Sequence, residues 1–185
     1  MVKHWLKKPR RVFALVPLHP SHLEEIVSWI GTGAAEKDGD TDDDALRMRM
    51  YTEFRRQYRP LWSSGYSETL VMTVNRVPVF CVSFLWLRKP GVPTQAERSS
   101  AHIYLIYRPQ VHGNERLLLL AWQAATVHAF LHMDLSAVQA AVNADMQEEN
   151  EALLTLGYRM EESVSEVAGR MNLYQCVREE MRVVM

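Results

Sequence analysis

The stretch Ala101–Tyr158 constrains what this chain can fold into more than any other part of it. It reads as a strand (Ala101–Tyr107), a tight polar turn (Arg108–Gly113), a helix (Asn114–Leu131), a strand (Leu135–Val142), a helix (Met146–Leu156) and the pair Gly157-Tyr158. A strand that runs through a glycine turn into a helix aims several backbone N–H groups at one point. The helix N-terminus adds partial positive charge there, so the turn is a candidate seat for an anion.

The flanking sequence completes a sheet around this unit. Val12–Val16 is a short apolar run ending at Pro17 and reads as a first strand. Pro20-Ser21 opens a helix to about Ile30, with Ser21 as N-cap, Glu24 as its capping-box partner, and Gly31 and Gly33 as the stop. Lys37–Asp44 is an acidic loop whose Asp42, Asp43 and Asp44 suit the positive end of a second helix. In that helix Leu46, Met50, Phe54, Tyr58, Leu61 and Trp62 form one apolar stripe, and Arg47, Arg49, Arg55, Arg56 and Arg59 fall largely off it. Thr69–Val74 and Val77–Leu87 form a hairpin about Asn75-Arg76, the second strand apolar almost throughout, as a central strand is. Arg88–Ser100, with Pro90, Gly91 and Pro93, is a loop. After Tyr158 come a strand (Arg159–Ser163), a turn at Ala168-Gly169 and a last strand from Met171 to about Val177. The tail to Met185 extends that strand or frays. The order is β-α-α-β-β-β-α-β-α-β-β, one α/β domain over residues 1–185.

Several classes are excluded by composition. A net charge of −1 gives no overall electrostatic case for nucleic acid, and the basic opening (Lys3, Lys7, Lys8, Arg10, Arg11) reads as a solvated arm. Val12–Leu18 is short, contains Pro17 and lacks a small-residue cleavage site, so no leader is expected. Leu117–Met133 carries Gln123, His128 and His132 and is too short to span a membrane comfortably. Cys81 and Cys176 lie in apolar strand-like runs and read as reduced core thiols. His128 and His132 are one turn apart, but no acidic or cysteine partner follows at a metal-motif distance, so no metal is expected. The expected compartment is the cytoplasm.

The element order resembles the core of the GCN5-related N-acetyltransferase (GNAT) superfamily. Its members typically read V-x-P-x-x-R/Q-G-x-G-x-G/A through this strand and turn, and close the second helix with G-F. The matching residues here are Tyr107, Pro109, His112, Gly113 and then Gly157-Tyr158. The later motif glycines fall on Glu115 and Leu117, and the Arg/Gln position falls on His112. A shifted register makes Gln110 the motif's first residue and Gly113 its first glycine, with Glu115 where Gly or Ala belongs. The resemblance implies a mixed, mostly antiparallel sheet flanked by helices. It also implies acetyl-CoA as co-substrate, its pyrophosphate held by Gln110, Val111, His112, Gly113, Asn114, Glu115 and Arg116, with Arg108 and Arg116 offsetting the Glu115 charge.

The same resemblance assigns further roles. The backbone N–H of Tyr107 polarises the thioester carbonyl. A base for the incoming amine belongs on the Ala101–Tyr107 strand, which offers His102 and Tyr104 on one face, with Glu68 and Glu97 as weaker options. Asn143 matches an Asn that contacts the pantetheine arm, in competition with Gln147, and an Asn ending a strand is equally a turn former. Leu153 stands where members place a Tyr as general acid, and Tyr158 replaces a core Phe. Tyr51 or Arg55 would border an acceptor pocket. The function expected is acyl transfer to a small-molecule or protein amine. The alternative is a catalytically inactive GNAT-like binding or regulatory module, whose final strand could pair with another chain. A homodimer is compatible with either; neither nucleic acid nor a membrane is an expected partner.

Overall fold

The computed structural model describes residues 13–35, 67–86, 99–111, 113–166 and 169–183. In chain order these form β1 (Phe13–Pro17), α1 (Pro20–Ala35), β2 (Ser67–Val74), β3 (Val77–Trp86), β4 (Ser100–Tyr107), α2 (Glu115–Leu131), β5 (Ala137–Asn143), α3 (Gln147–Thr155), β6 (Arg159–Glu166) and β7 (Gly169–Val177). The strands make one seven-stranded sheet in the order β1-β2-β3-β4-β5-β7-β6. Only β4 and β5 run parallel; the other neighbours are antiparallel. The expected helix over Leu46–Trp62, with Tyr51 and Arg55, lies outside the described residues. So do the acidic loop Lys37–Asp44, Glu97 and His112.

Side-chain alternation sorts the sheet into two faces. Leu70, Val82, Phe84, Ile103, Val138, Ala140 and Tyr174 pack on Trp122, Ala125, Ala129 and Phe130 of α2 and on Ala152 and Leu153 of α3. The buried alanines of α2 let that helix lie close to the strands. On the other face Val71, Cys81 and Ile106 pack under Leu23, Ile26, Val27 and Trp29 of α1. The β2–β3 turn uses Asn75 (φ 52°) and Arg76 (φ 69°), two left-handed residues whose twist matches a two-residue hairpin.

Four expectations need correction. The helix α1 continues through Gly31 and Gly33 to Ala35, because a glycine inside a helix costs about 1 kcal/mol relative to alanine and is a bias, not a stop. Its start is capped by histidines instead of Ser21 and Glu24. His19 Nδ1 accepts the Ser21 N–H (3.3 Å) while the His19 N–H donates to His22 Nδ1 (3.2 Å), a reciprocal pair around Pro20 in the first helical position. The final strand is interior: β7 returns between β5 and β6, so β6 with Glu161 and Glu162 forms that edge. Charged edge residues discourage pairing with another chain. Over the described residues 178–183 the chain leaves β7 and is tied back to the fold. Arg178 donates to the Leu135 carbonyl (2.9 Å from Nε) and to Asp134 (2.8 Å), and Arg178–Glu180 make a single 3₁₀ turn.

The end of α3 is closed tightly. Gly157 takes φ +92°, the Tyr158 N–H donates to Leu153 O (3.0 Å) and the Gly157 N–H to Leu154 O (3.1 Å), a Schellman arrangement. Tyr158 is buried, its ring edge-on to Trp122 and its hydroxyl 2.7 Å from Thr126 Oγ1. Cys81 and Cys176 are free, buried thiols, and burial raises their pKa values to about 12 and about 11, the nearby Glu180 charge adding to the second. No helix among the described residues is long and apolar enough to cross a membrane.

Candidate active site

The two parallel strands part near their C-terminal ends. Their register runs from Ser100↔Ala137 only to Ile103↔Ala140, although β4 continues on β3 to Tyr107 and β5 continues on β7 to Asn143. The Arg108 N–H donates to Val79 O (3.1 Å) on the β3 side. By alternation the Tyr107 N–H turns to the β5 side, beyond the last paired residues. Each parted strand leads into a helix, so the positive ends of α2 and α3 face one rim of the sheet.

Across this rim lies a cleft of about 430 Å³. Tyr107 and Gly113 line it from the β4–α2 side, and Met146 and Gln147 from the α3 side. The remaining lining residues among those described are Glu115, Asp145, Glu148, Glu149 and Glu151: five carboxylates, with neither Lys nor Arg among the described lining residues. Arg108 is ion-paired with Glu25 of α1. Two unit charges 4 Å apart interact by about 1 kcal/mol in bulk water and about 4 kcal/mol at an effective dielectric constant of 20. The lining therefore works against a multiply charged anion, unless a carboxylate moves away or is neutralised.

One hydrogen bond ties the turn to this acidic helix end. Pro109–Val111 form a 3₁₀ turn in which the Val111 N–H donates to Arg108 O and the Asn114 N–H to Val111 O, both at 2.9 Å. Val111 is buried against Leu118 and Ala121, and Gln110 is exposed. Gly113 is left-handed (φ +77°) with nothing within 4 Å of where a Cβ would stand. Its N–H donates to Glu148 Oε2 at 3.1 Å. Asn114 caps α2, its Oδ1 accepting the Leu117 N–H (3.1 Å), while Glu115 and Arg116 are exposed in the first turn. The amides expected to point at phosphate are thus already engaged at Gly113 and Asn114, the first by a carboxylate.

Glu149 is buried beside Glu148 and accepts the Tyr107 hydroxyl at 2.6 Å. Burial first, then this hydrogen bond and the charges of Glu149 and Glu148, hold the Tyr107 phenol well above its ordinary pKa. Asn150 anchors the same turn: its Nδ2 donates to Asn143 O (3.0 Å) and Met146 O (2.6 Å), and its Oδ1 accepts from Tyr174 (2.7 Å) and Asn172 (2.9 Å). Asn143 serves as a turn former here, its Oδ1 accepting the Asp145 N–H at 3.0 Å. Gln147 donates to Glu151 at 2.8 Å.

His102 and Tyr104 sit on the opposite face of β4, as the alternation predicts, stacked with ring centroids 4.4 Å apart. The register sets them in a polar band. Ser67, Leu85, His102, Gln139 and Gln175 form one row across the sheet, and Thr69, Ser83 and Tyr104 the next, before the apolar row under α1. His102 Nε2 and Ser67 Oγ are buried with no hydrogen-bond partner. Burial lowers the His102 pKa and raises that of Tyr104, so both rings are neutral near pH 7. Glu68 points to the α2 face, 3.1 Å from His128 Nε2, and does not join His102. Leu153, fully buried, offers no acid.

The carboxylates of α3 escaped sequence reasoning. Their signal was the run Asp145-Met-Gln-Glu-Glu-Asn-Glu151 directly after a strand, which alone reads as ordinary acids at a helix start.

No family model matches the chain, and no curated protein does. Solved structures match it over nearly its whole length. An uncharacterized protein from Bacillus halodurans has a TM-score of 0.70 at 13% identity, over 92% of this chain and 86% of that one. Spermidine N-acetyltransferase from Vibrio cholerae, in complex with CoA and spermine, scores 0.68 at 13% identity, over 91% and 96%. RimJ from Mycobacterium smegmatis, in complex with CoA-disulfide, scores 0.66 at 16% identity, over 91% and 83%. The chain shares the fold of these structures, the GNAT-like arrangement of a mostly antiparallel sheet flanked by helices.

Proposed function

We propose that this chain is an acyl-CoA-dependent N-acyltransferase that passes an acetyl group to a primary amine by direct attack. The observation that carries the reading is the parting of β4 and β5 after Ile103/Ala140, directly below the glycine turn. That opening suits a thioester lying along β4, with its carbonyl against the Tyr107 N–H, an oxyanion-type contact. The open side of Gly113 gives room for a phosphate. Fit at the turn depends on the position of the Glu148 side chain.

The thioester supplies the acyl group, and the residues of this chain orient and deprotonate its acceptor. The amine nitrogen bonds to the carbonyl carbon, the C–S bond breaks, and the amine proton passes through water to His102, which lies five strand residues before Tyr107. Burial keeps His102 neutral below its ordinary 6.5, so it can accept that proton across the neutral range. Tyr104 stacks on the ring and holds its plane. With Leu153 in place of an acid, water protonates the thiolate.

The test is thiol release from acetyl-CoA with polyamines, amino sugars and peptide N-termini as acceptors. His102→Ala should lower kcat by about 100-fold or more and leave acetyl-CoA affinity unchanged. The acid limb of the rate profile should lie below pH 6.5, since a lowered His102 pKa delays its protonation. No binding of acetyl-CoA at millimolar concentration, in this chain or in variants with a cleft carboxylate neutralised, would sink the reading.

The five carboxylates of the cleft favour a second reading, a GNAT-fold module without acyl transfer. It predicts that last outcome.

A further inference from the structure

We propose that Glu148 is an internal plug of the anion seat, a residue that sets cofactor affinity by competing with phosphate for the Gly113 N–H; this rests on the acyltransferase reading. Two helix N-termini converge on the cleft, and each favours negative charge. The chain supplies that charge itself. Glu148, in the first turn of α3, reaches across to the Gly113 N–H at 3.1 Å. A phosphate oxygen approaching the turn through the open side of Gly113 would accept the same hydrogen bond. The two acceptors cannot share it, because one N–H directs one strong bond and the two anions repel.

The plug is displaceable while its neighbours are not. Glu149 is buried and held by Tyr107, and Asn150 ties the α3 start to the Asn143 and Met146 carbonyls. Glu148 is only partly buried, so rotation about its own side-chain bonds clears the seat without moving α3. Binding of a phosphate-bearing ligand therefore requires Glu148 to swing out, and its apparent affinity falls by the fraction of molecules in which the seat is closed.

Calorimetry with CoA and with inorganic pyrophosphate tests this on the full chain, Glu148→Ala, Glu148→Gln and Glu151→Gln. Glu151 lines the same cleft but is not on Gly113, so its variant controls for charge alone. Glu148→Ala should bind both ligands at least tenfold more tightly than the unaltered chain. Glu148→Gln should fall between, since its amide oxygen still accepts the Gly113 N–H without the charge. Glu151→Gln should change affinity less than about threefold. Equal gains in Glu148→Ala and Glu151→Gln would overturn the plug in favour of diffuse charge. Binding that no variant changes would overturn it too, leaving the acyltransferase reading intact. No binding by any of the four would overturn both.

Discussion

Two left-handed glycine turns, one closing α3 and one leading into α2, solve opposite problems. After α3, position 157 must be glycine: its φ is left-handed and a Cβ there would lie 2.3 Å from the Glu180 carbonyl oxygen. At the cleft, Gly113 is also left-handed, yet a Cβ there would meet open space. One glycine is demanded by packing, the other by backbone direction alone. A position that needs only direction can present its N–H toward the cleft, where Glu148 now accepts it. The comparison shows where this molecule keeps structure and where it keeps room.

Alanine scanning of the two glycines should separate them. Gly157→Ala adds backbone strain and a clash with main chain, together about 3 kcal/mol, and should lower Tm by roughly 6–12 °C. Gly113→Ala carries the strain alone, about 1 kcal/mol, a Tm fall of about 2–4 °C. Equal losses would break the comparison. Tyr158→Phe sharpens the packed end with an effect as small as that of Gly113→Ala: it removes the hydroxyl bonded to Thr126 at 2.7 Å and keeps the ring against Trp122, costing about 1 kcal/mol in a denaturant titration. A loss above about 3 kcal/mol would mean that the hydroxyl organises more of the core than one hydrogen bond.

Much of the fold was legible because its signals are local. Runs of β-branched and aromatic residues marked β2 and β3, the Asn75-Arg76 pair marked their turn, and Gly157-Tyr158 marked the end of α3. The interior place of β7 was not legible, since strand order depends on which partner a hairpin folds against, and the sequence of β7 is the same at an edge or inside. The start of α1 was missed because histidine Nδ1 atoms do the work usually given to hydroxyls and carboxylates. At the candidate site, the turn, Gly113 and the shared face of His102 and Tyr104 were readable from spacing. The Gly113–Glu148 bond was not, because it joins residues 35 positions apart and needs the parallel β4–β5 pairing to bring two helix ends together.

The two buried cysteines have a practical consequence. With pKa values of about 12 and about 11, fewer than about one in a thousand of either is thiolate near neutral pH. Neither side chain is open to a colour-forming disulfide reagent while the protein stays folded. Coenzyme A released by acyl transfer would be counted against a background set by the reagents alone. A slow rise in that background would report unfolding, so one cuvette would read both the proposed chemistry and the integrity of the fold.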